Sequence, residues 1–188
     1  MRRRALISSI IALALAPALA RAEVQLELFK RAPLADAARI GDFEQVQRLL
    51  VSGQSPNVSD YEDRPALMVA AMGGYLSVVT LLVANGARTD ARDPAGNTAL
   101  HLAAERGHDD VVAALVAAGA RVDLENREGV TPLIYSARAG RLAVARRLIA
   151  ARAPLDVQDY TGRTALGWAE TNGHRNVADT LRRAGAKP

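Results

Sequence analysis

The sequence contains no cysteine, which excludes disulfide bonds, a cysteine nucleophile and a lipid anchor on cysteine. Aromatic residues are scarce at 4% of the chain, although 49% of its residues are apolar. A core made mostly of Ala, Leu and Val favours thin, closely stacked helices over a thick sandwich. No apolar run reaches the length of about 18 residues that a membrane-spanning helix needs. We therefore expect the 188 residues to form one compact domain that is held by packing alone.

The first 22 residues differ in character from the rest of the chain. Arg2 to Arg4 are basic, residues 5–16 are apolar, and small residues then offer cleavage after Ala20 or Ala22. This order is typical of a secretory signal peptide; the alternatives are a buried first helix and a retained membrane anchor. We expect residues 1–22 to be removed, residues 23–188 to form the mature domain, and no transmembrane segment to remain.

The charge balance changes when this segment is removed. The formal net charge is +4, and residues 1–22 contribute four arginines and no acid, so the mature chain is close to neutral. The basic pI of 9.9 therefore does not indicate a nucleic-acid partner. Only Lys30 and Lys187 are lysines among the 24 basic residues, and alanine is abundant. This bias fits a GC-rich bacterial genome and predicts the periplasm as the destination.

Four series of residues recur with a period of 33. Such a period is a signature of a repeat protein. The series are Leu34, Leu67, Leu100, Leu133 and Leu166; Gly41, Gly74, Gly107, Gly140 and Gly173; Gly53, Gly86, Gly119, Arg152 and Gly185; and Asp60, Asp93, Asn126 and Asp159.

One unit, residues 93–125, illustrates the structure that each repeat predicts. A turn leads to Thr98, a good helix N-cap, and a short helix follows that buries Leu100 and ends at Gly107 in the left-handed conformation. A second helix begins at Asp109 and Asp110, where acidic residues favour the positive end of the helix dipole. It is expected to bury Val111, Val112, Leu115 and Val116 and to end at Gly119.

The pattern resembles the ankyrin repeat. The residues that carry the resemblance are Thr98 to Ala104 with Gly107 and His108, Thr131 to Leu133, and Thr164 to Leu166 with Gly173 and His174. The resemblance implies an all-α solenoid of about five repeats, each a β-turn and two antiparallel helices, with the two end repeats as caps. The predicted units are residues 27–59, 60–92, 93–125, 126–158 and 159–188. Asp63 and Arg152 replace glycines of this pattern, so we expect local strain at both.

No residue pattern predicts catalysis, a cofactor or a metal site. His101, His108 and His174 occupy positions at which the family uses imidazole for hydrogen bonds between turns. Phosphate-binding and nucleophile motifs are absent from the sequence. The pair Asp109 and Asp110 is interpreted as the charged start of a helix. We therefore predict that the protein is not an enzyme.

The resemblance implies that the protein is an adaptor, chaperone or inhibitor, and that it binds another protein through its concave face and its turn tips. We expect it to be monomeric. The implied partner-binding residues are Tyr61, Glu62, Arg64, Met72, Arg92, Asn97, Glu105, Arg106, Arg127, Glu128, Arg138, Tyr160 and Arg163. The alternative is electrostatic binding to an anionic cell-envelope surface. Residues 23–125 carry 9 basic and 15 acidic residues, whereas residues 126–188 carry 11 and 5, so the second part could serve that purpose.

Overall fold

A computed structural model describes residues 32–187. The predicted signal peptide, the leader up to residue 31 and the start of the first unit lie outside the described residues. Between residues 32 and 187 the chain forms ten α-helices and no strand. The helices are α1 Pro33–Ile40, α2 Phe43–Val51, α3 Ala66–Gly73, α4 Leu76–Ala84, α5 Ala99–Arg106, α6 Asp109–Ala117, α7 Pro132–Arg138, α8 Leu142–Ala150, α9 Ala165–Thr171 and α10 Arg175–Arg183.

The helices form two layers. The first helix of every unit packs against the first helix of the next, and the second helices stack in the same order behind them. Contacts are more extensive within the layer of first helices, where small residues such as Ala70, Ala71, Ala103 and Ala104 are fully buried. Because these side chains are small, the first helices can approach one another closely. The predicted all-α repeat solenoid is confirmed.

The side chain at the start of each turn holds that turn together. Asp60 Oδ1 accepts hydrogen bonds from the backbone N–H groups of Glu62 and Arg64 at 2.9 and 3.0 Å. Asn126 Oδ1 binds the corresponding groups of Glu128 and Val130. This Asx-type bonding explains why Asp or Asn recurs at the position. Burial opposes ionisation of Asp60, but the hydrogen bonds and charge of Arg64 outweigh it and hold its pKa below the ordinary value.

The helix ends agree with the predicted capping. Thr98 is the N-cap of α5, Gly107 ends that helix with a φ of +86°, and Asp109 begins α6. Asp63 and Arg152 take positive φ angles of 57° and 62°, which confirms the strain expected where glycine is replaced. The predicted burial of Val116 in α6 was wrong. Val116 is only half-buried, and the helix buries Val111, Val112 and Leu115.

His101 is part of the core. Its side chain is fully buried, its Nδ1 lies 3.1 Å from the Thr98 backbone N, and its Nε2 lies 3.1 Å from the Val130 carbonyl oxygen. The Thr98 backbone N–H donates to Nδ1, which therefore carries no proton, and the Val130 carbonyl oxygen accepts from Nε2, so the imidazole is neutral. Burial lowers the pKa of His101 to about 4, although the bond to Val130 opposes the shift. The structural interpretation of this histidine is confirmed.

Candidate functional site

The turn tips of neighbouring units are bonded to one another. The Arg127 backbone N–H donates to the Ala95 carbonyl oxygen at 3.0 Å, and the Tyr160 N–H donates to the Glu128 carbonyl oxygen at 2.9 Å. Pro94 occupies the same position in the preceding unit and has no N–H to donate. The tips of units three, four and five therefore form a continuous edge, which leaves their outward side chains in a row.

Most of the predicted tip residues are exposed. Tyr61 and Tyr160 have exposed fractions of 69% and 77%, the largest of the aromatic side chains that the structure describes. The other exposed members of the predicted set are Glu62, Arg92, Arg127, Glu128 and Arg163. These side chains are available for contact with a partner.

Two predicted arginines are partly engaged within the protein. The Arg64 guanidinium pairs with Asp60 at 2.7 Å and with Glu62 at 2.8 Å, and its side chain is 20% exposed. Arg92 Nη1 donates to the carbonyl oxygens of Gly96 at 2.9 Å and Glu125 at 2.7 Å. Arg92 therefore joins two neighbouring turns, and its removal would affect the stack as well as any partner.

Asn97 was wrongly assigned to the binding surface. It is 7% exposed, and its Oδ1 accepts from Asn126 Nδ2 at 2.8 Å and from the Tyr135 hydroxyl at 3.4 Å. Its Nδ2 donates to Asp93 Oδ2 at 3.2 Å. The short amide turns inward to satisfy its neighbours, because a buried polar group without a partner would be costly. Asn97 supports the turns and does not present itself to a partner.

The predicted residues at the ends of the first helices form a second set, at the opposite end of each helix from the turn that precedes it. Arg106 is exposed, and Met72, Glu105 and Arg138 are partly exposed. Of this second set, the structure brings Arg138 together with the tip residue Arg163, because both guanidinium groups lie against the Trp168 ring.

The prediction missed two aromatic residues on the same face. The guanidinium carbon of Arg138 lies 4.7 Å from the centre of the Tyr135 ring and 5.6 Å from that of Trp168. The guanidinium of Arg163 lies 4.8 Å from the Trp168 ring. We call Tyr135, Arg138, Arg163 and Trp168 the stacked-arginine cluster. Tyr135 and Trp168 are 33 residues apart, and that spacing could have revealed the pair.

The Trp168 ring is fixed by a hydrogen bond. Its Nε1 donates to Asp159 Oδ2 at 2.6 Å, and the other oxygen of Asp159 accepts from Thr161 and from the Arg163 backbone. Burial opposes ionisation of Asp159, but the hydrogen bonds from Thr161 and Trp168 hold its pKa below the ordinary value. An ionised, fully bonded carboxylate thus anchors the ring on which both arginines stack.

An arginine also lies against the exposed ring at the other end of the stack. The Arg39 guanidinium is 5.0 Å from the centre of the Tyr61 ring. It pairs with Asp36 at 2.7 Å and lies 3.9 Å from Asp60. This cation is already neutralised, and in that respect it differs from the arginines of the stacked-arginine cluster.

The basic charge of the last two units is partly compensated on the layer of second helices. Arg147 forms a two-pronged pair with Asp109 of unit three, which holds the pKa of that carboxyl below its ordinary value. Arg182 pairs with Glu170 at 2.7 Å and Asp179 at 2.8 Å. The Arg147–Asp109 pair joins the basic part of the stack to the acidic part, whereas the Arg182 pairs neutralise charge within the basic part.

The family model described as Ankyrin repeats (3 copies) matches residues 34–126 and 114–188. The chain therefore belongs to the ankyrin repeat family, whose members generally act as protein–protein interaction modules and are typically non-catalytic. A search of curated proteins found no match to the chain. None of the helices between residues 32 and 187 is long and apolar enough to cross a membrane.

Proposed function

We propose that this protein is an exported, monomeric adaptor, chaperone or inhibitor that binds another protein of the bacterial periplasm. The observation that carries the proposal is the exposure of the turn-tip side chains Tyr61, Arg127 and Tyr160, of which Arg127 and Tyr160 stand on the bonded row of tips. Tyr and Arg are the residue types that contribute most to interface energetics. Trp168 and Arg138 add an aromatic and charged surface next to this row.

The periplasmic destination is supported by the first 22 residues. Their basic start, apolar middle and small-residue end stand in the order that a secretory signal requires. Mass spectrometry of the protein from its native cells would test this part. We expect an N-terminus at Arg21 or Glu23 in the periplasmic fraction. An intact Met1 in the cytoplasmic fraction would contradict export.

Chemical crosslinking from the envelope fraction of native cells tests the binding surface. The variant Tyr61→Ala, Arg127→Ala and Tyr160→Ala should lose crosslinks that the unmodified protein forms. Arg92 is kept, because its bonds to Gly96 and Glu125 would confound the result. The melting temperature should change little, since exposed substitutions usually cost within about 0.5 kcal/mol each.

The matched control replaces Arg146 and Arg175 by Ala. Both are exposed on the second helices of the basic units, away from the turn tips. Loss of crosslinks in the control alone would favour the alternative of binding to an anionic envelope surface. That alternative also predicts that binding collapses as salt rises. The ion pairs of Arg147 and Arg182 reduce the charge available for it.

A further inference from the structure

The stacked-arginine cluster has a geometry suited to one kind of ligand. The Arg138 guanidinium lies close to two aromatic rings, those of Tyr135 and Trp168, and the Arg163 guanidinium also lies over the Trp168 ring. Stacking fixes the plane of a guanidinium and leaves the N–H groups at its edge free to bind. Such an edge matches the two oxygens of a carboxylate.

Both cations of the cluster lack an acidic partner in the part of the chain that the structure describes. No carboxylate of residues 32–187 forms an ion pair with Arg138 or Arg163. The Arg163 side chain makes only a 3.4 Å bond to the Thr161 hydroxyl. Asp159, the nearest buried acid, is committed to its own turn and to Trp168. The guanidinium carbons of Arg138 and Arg163 lie 5.6 and 4.8 Å from the centre of the same Trp168 ring. They are therefore no more than about 10 Å apart, so the two charges lie close together.

We propose that the stacked-arginine cluster binds the carboxylates of an acidic segment in the partner protein. This inference rests on the proposed function and adds the chemistry of the partner to it. One carboxylate of the segment lies against the Arg138 edge and a second against Arg163, with the segment passing over Trp168. Each of these contacts is a charge-assisted hydrogen bond, which is shorter and stronger than a bond between neutral groups.

The flanking charges favour a protein segment over an anionic surface. Burial raises the pKa of the Tyr135 hydroxyl; the charge of Arg138 opposes this rise, and Glu105 and Glu128 add to it, so both carboxylates lie within electrostatic reach of the cluster. Glu128 is exposed and Glu105 is partly exposed. A uniformly anionic membrane or polymer laid along this face would meet both carboxylates and be repelled. A peptide can place its acids at Arg138 and Arg163 and neutral or basic residues beside the two glutamates.

The test uses a displayed library of random dodecapeptides. The library is selected on the full mature protein and separately on its Arg138→Gln, Arg163→Gln variant. We expect the peptides enriched on the unmodified protein to carry two or more Asp or Glu residues. Their affinity should fall at least about tenfold on the variant, since each charged hydrogen bond contributes at least about that factor. An Arg138→Lys, Arg163→Lys variant, which keeps the charge without the planar stack, should bind with intermediate affinity.

Trp168 is the only tryptophan of the chain, so its fluorescence reports on the cluster directly. Synthetic copies of enriched peptides should change its emission saturably, and copies with Gln for Glu and Asn for Asp should not. The unchanged melting curve of the Gln variant verifies that it is folded. An Arg146→Gln, Arg175→Gln control should bind like the unmodified protein.

Three outcomes would overturn the inference in distinguishable ways. Enriched peptides without acids, or acidic peptides that bind the Gln variant equally, would remove the role of the cluster. If such peptides still depend on Tyr61, Arg127 and Tyr160, the proposed function stands. If no enriched peptide depends on the stacked-arginine cluster or on Tyr61, Arg127 and Tyr160, the proposed function fails as well. A Trp168 response to phosphatidylglycerol vesicles but not to acidic peptides would assign the cluster to lipid phosphate instead.

Discussion

The imidazole of His174 covers Gly140, the glycine that follows α7 in the preceding unit. Its Nε2 lies 3.1 Å from the Arg138 carbonyl oxygen, so the ring closes an open helix end across the boundary between units. The same relationship recurs along the stack, where Tyr75 covers Gly41, His108 covers Gly74 and Arg141 covers Gly107. One side chain at a fixed repeat position thus couples each unit to the one before it.

Gly140→Ala should destabilise the protein more than Gly173→Ala. Both glycines have positive φ angles, 69° and 74°, so each substitution carries a backbone cost of about 1–2 kcal/mol. A Cβ at Gly140 would also stand 2.7 Å from His174 Nδ1, whereas nothing lies within 4 Å of one at Gly173. Displacing the ring adds about 1–3 kcal/mol. Urea unfolding of both variants measures the difference.

The His174→Ala background provides the control for this interpretation. With the ring removed, the cost of Gly140→Ala should fall to the backbone cost alone. An equal cost in both backgrounds would mean that His174 does not couple the two units.

Stability should decrease between pH 6.5 and about 4 because of His101. Its pKa is lowered from 6.5 in the unfolded chain to about 4 in the fold, so over this range the unfolded state binds a proton that the folded state does not. The stabilisation is complete above pH 6.5 and is lost as the pH falls toward 4. A shift of this size corresponds to about 3 kcal/mol.

The variant His101→Ile isolates this effect, because Ile134 is the buried residue at the same position of the next unit. The free energy of unfolding of the unmodified protein should fall more steeply than that of the variant from pH 6.5 to 4. Asp60 and Asp159 have lowered pKa values, and their contributions are lost only at lower pH. Parallel curves would show that His101 does not control acid sensitivity.

Much of the fold follows from local rules that the sequence displays openly. The helices could be predicted from the 33-residue period, from Thr98 as an N-cap and from the glycine after each first helix. These signals are readable because helix capping depends only on the neighbouring backbone. Asp63 and Arg152 could be predicted as strained for the same reason. The positive φ angle is imposed by the turn, whatever residue occupies it.

The binding surface was predicted less well because one repeat position leads to four different environments. Arg64 folds back onto Asp60, Asn97 is buried among amides, Val130 is buried, and Arg163 stacks on Trp168. The backbone position is shared, but the direction of each side chain depends on which partner its length and polarity allow it to reach. Period alone therefore locates the face and does not identify which residues are exposed on it.

Arg152→Gly should stabilise the protein. Arg152 has a φ of +62°, whereas glycine stands at the equivalent positions of the other described units. Glycine relieves about 1–2 kcal/mol of left-handed strain, and its greater freedom in the unfolded chain costs about 0.5–1 kcal/mol, which leaves a net gain of up to about 1.5 kcal/mol. The midpoint of urea unfolding should rise accordingly.

Ala151→Gly is the matched control, since the adjacent residue has a φ of −79°. This substitution adds flexibility without relieving strain, so the midpoint should fall. A fall with both substitutions would show that the side chain of Arg152 contributes more than its strained backbone costs.

Leu100→Ala and Leu166→Ala should have unequal consequences although both leucines are completely or almost completely buried, with exposed fractions of 0% and 1%. Removing a buried leucine side chain costs about 2–5 kcal/mol. Leu100 lies in α5, which packs against α3 and α7, so this loss weakens the interfaces to both neighbouring units and destabilises units two to four. Leu166 lies in α9, which contacts a first helix on one side only, so the last unit can unfold while the other units stay folded.

Hydrogen exchange should therefore be faster throughout residues 60–158 for Leu100→Ala, and only in α9 and α10 for Leu166→Ala. Uniform acceleration by both substitutions would indicate a single cooperative core, contrary to a stack in which each unit contacts only its neighbours.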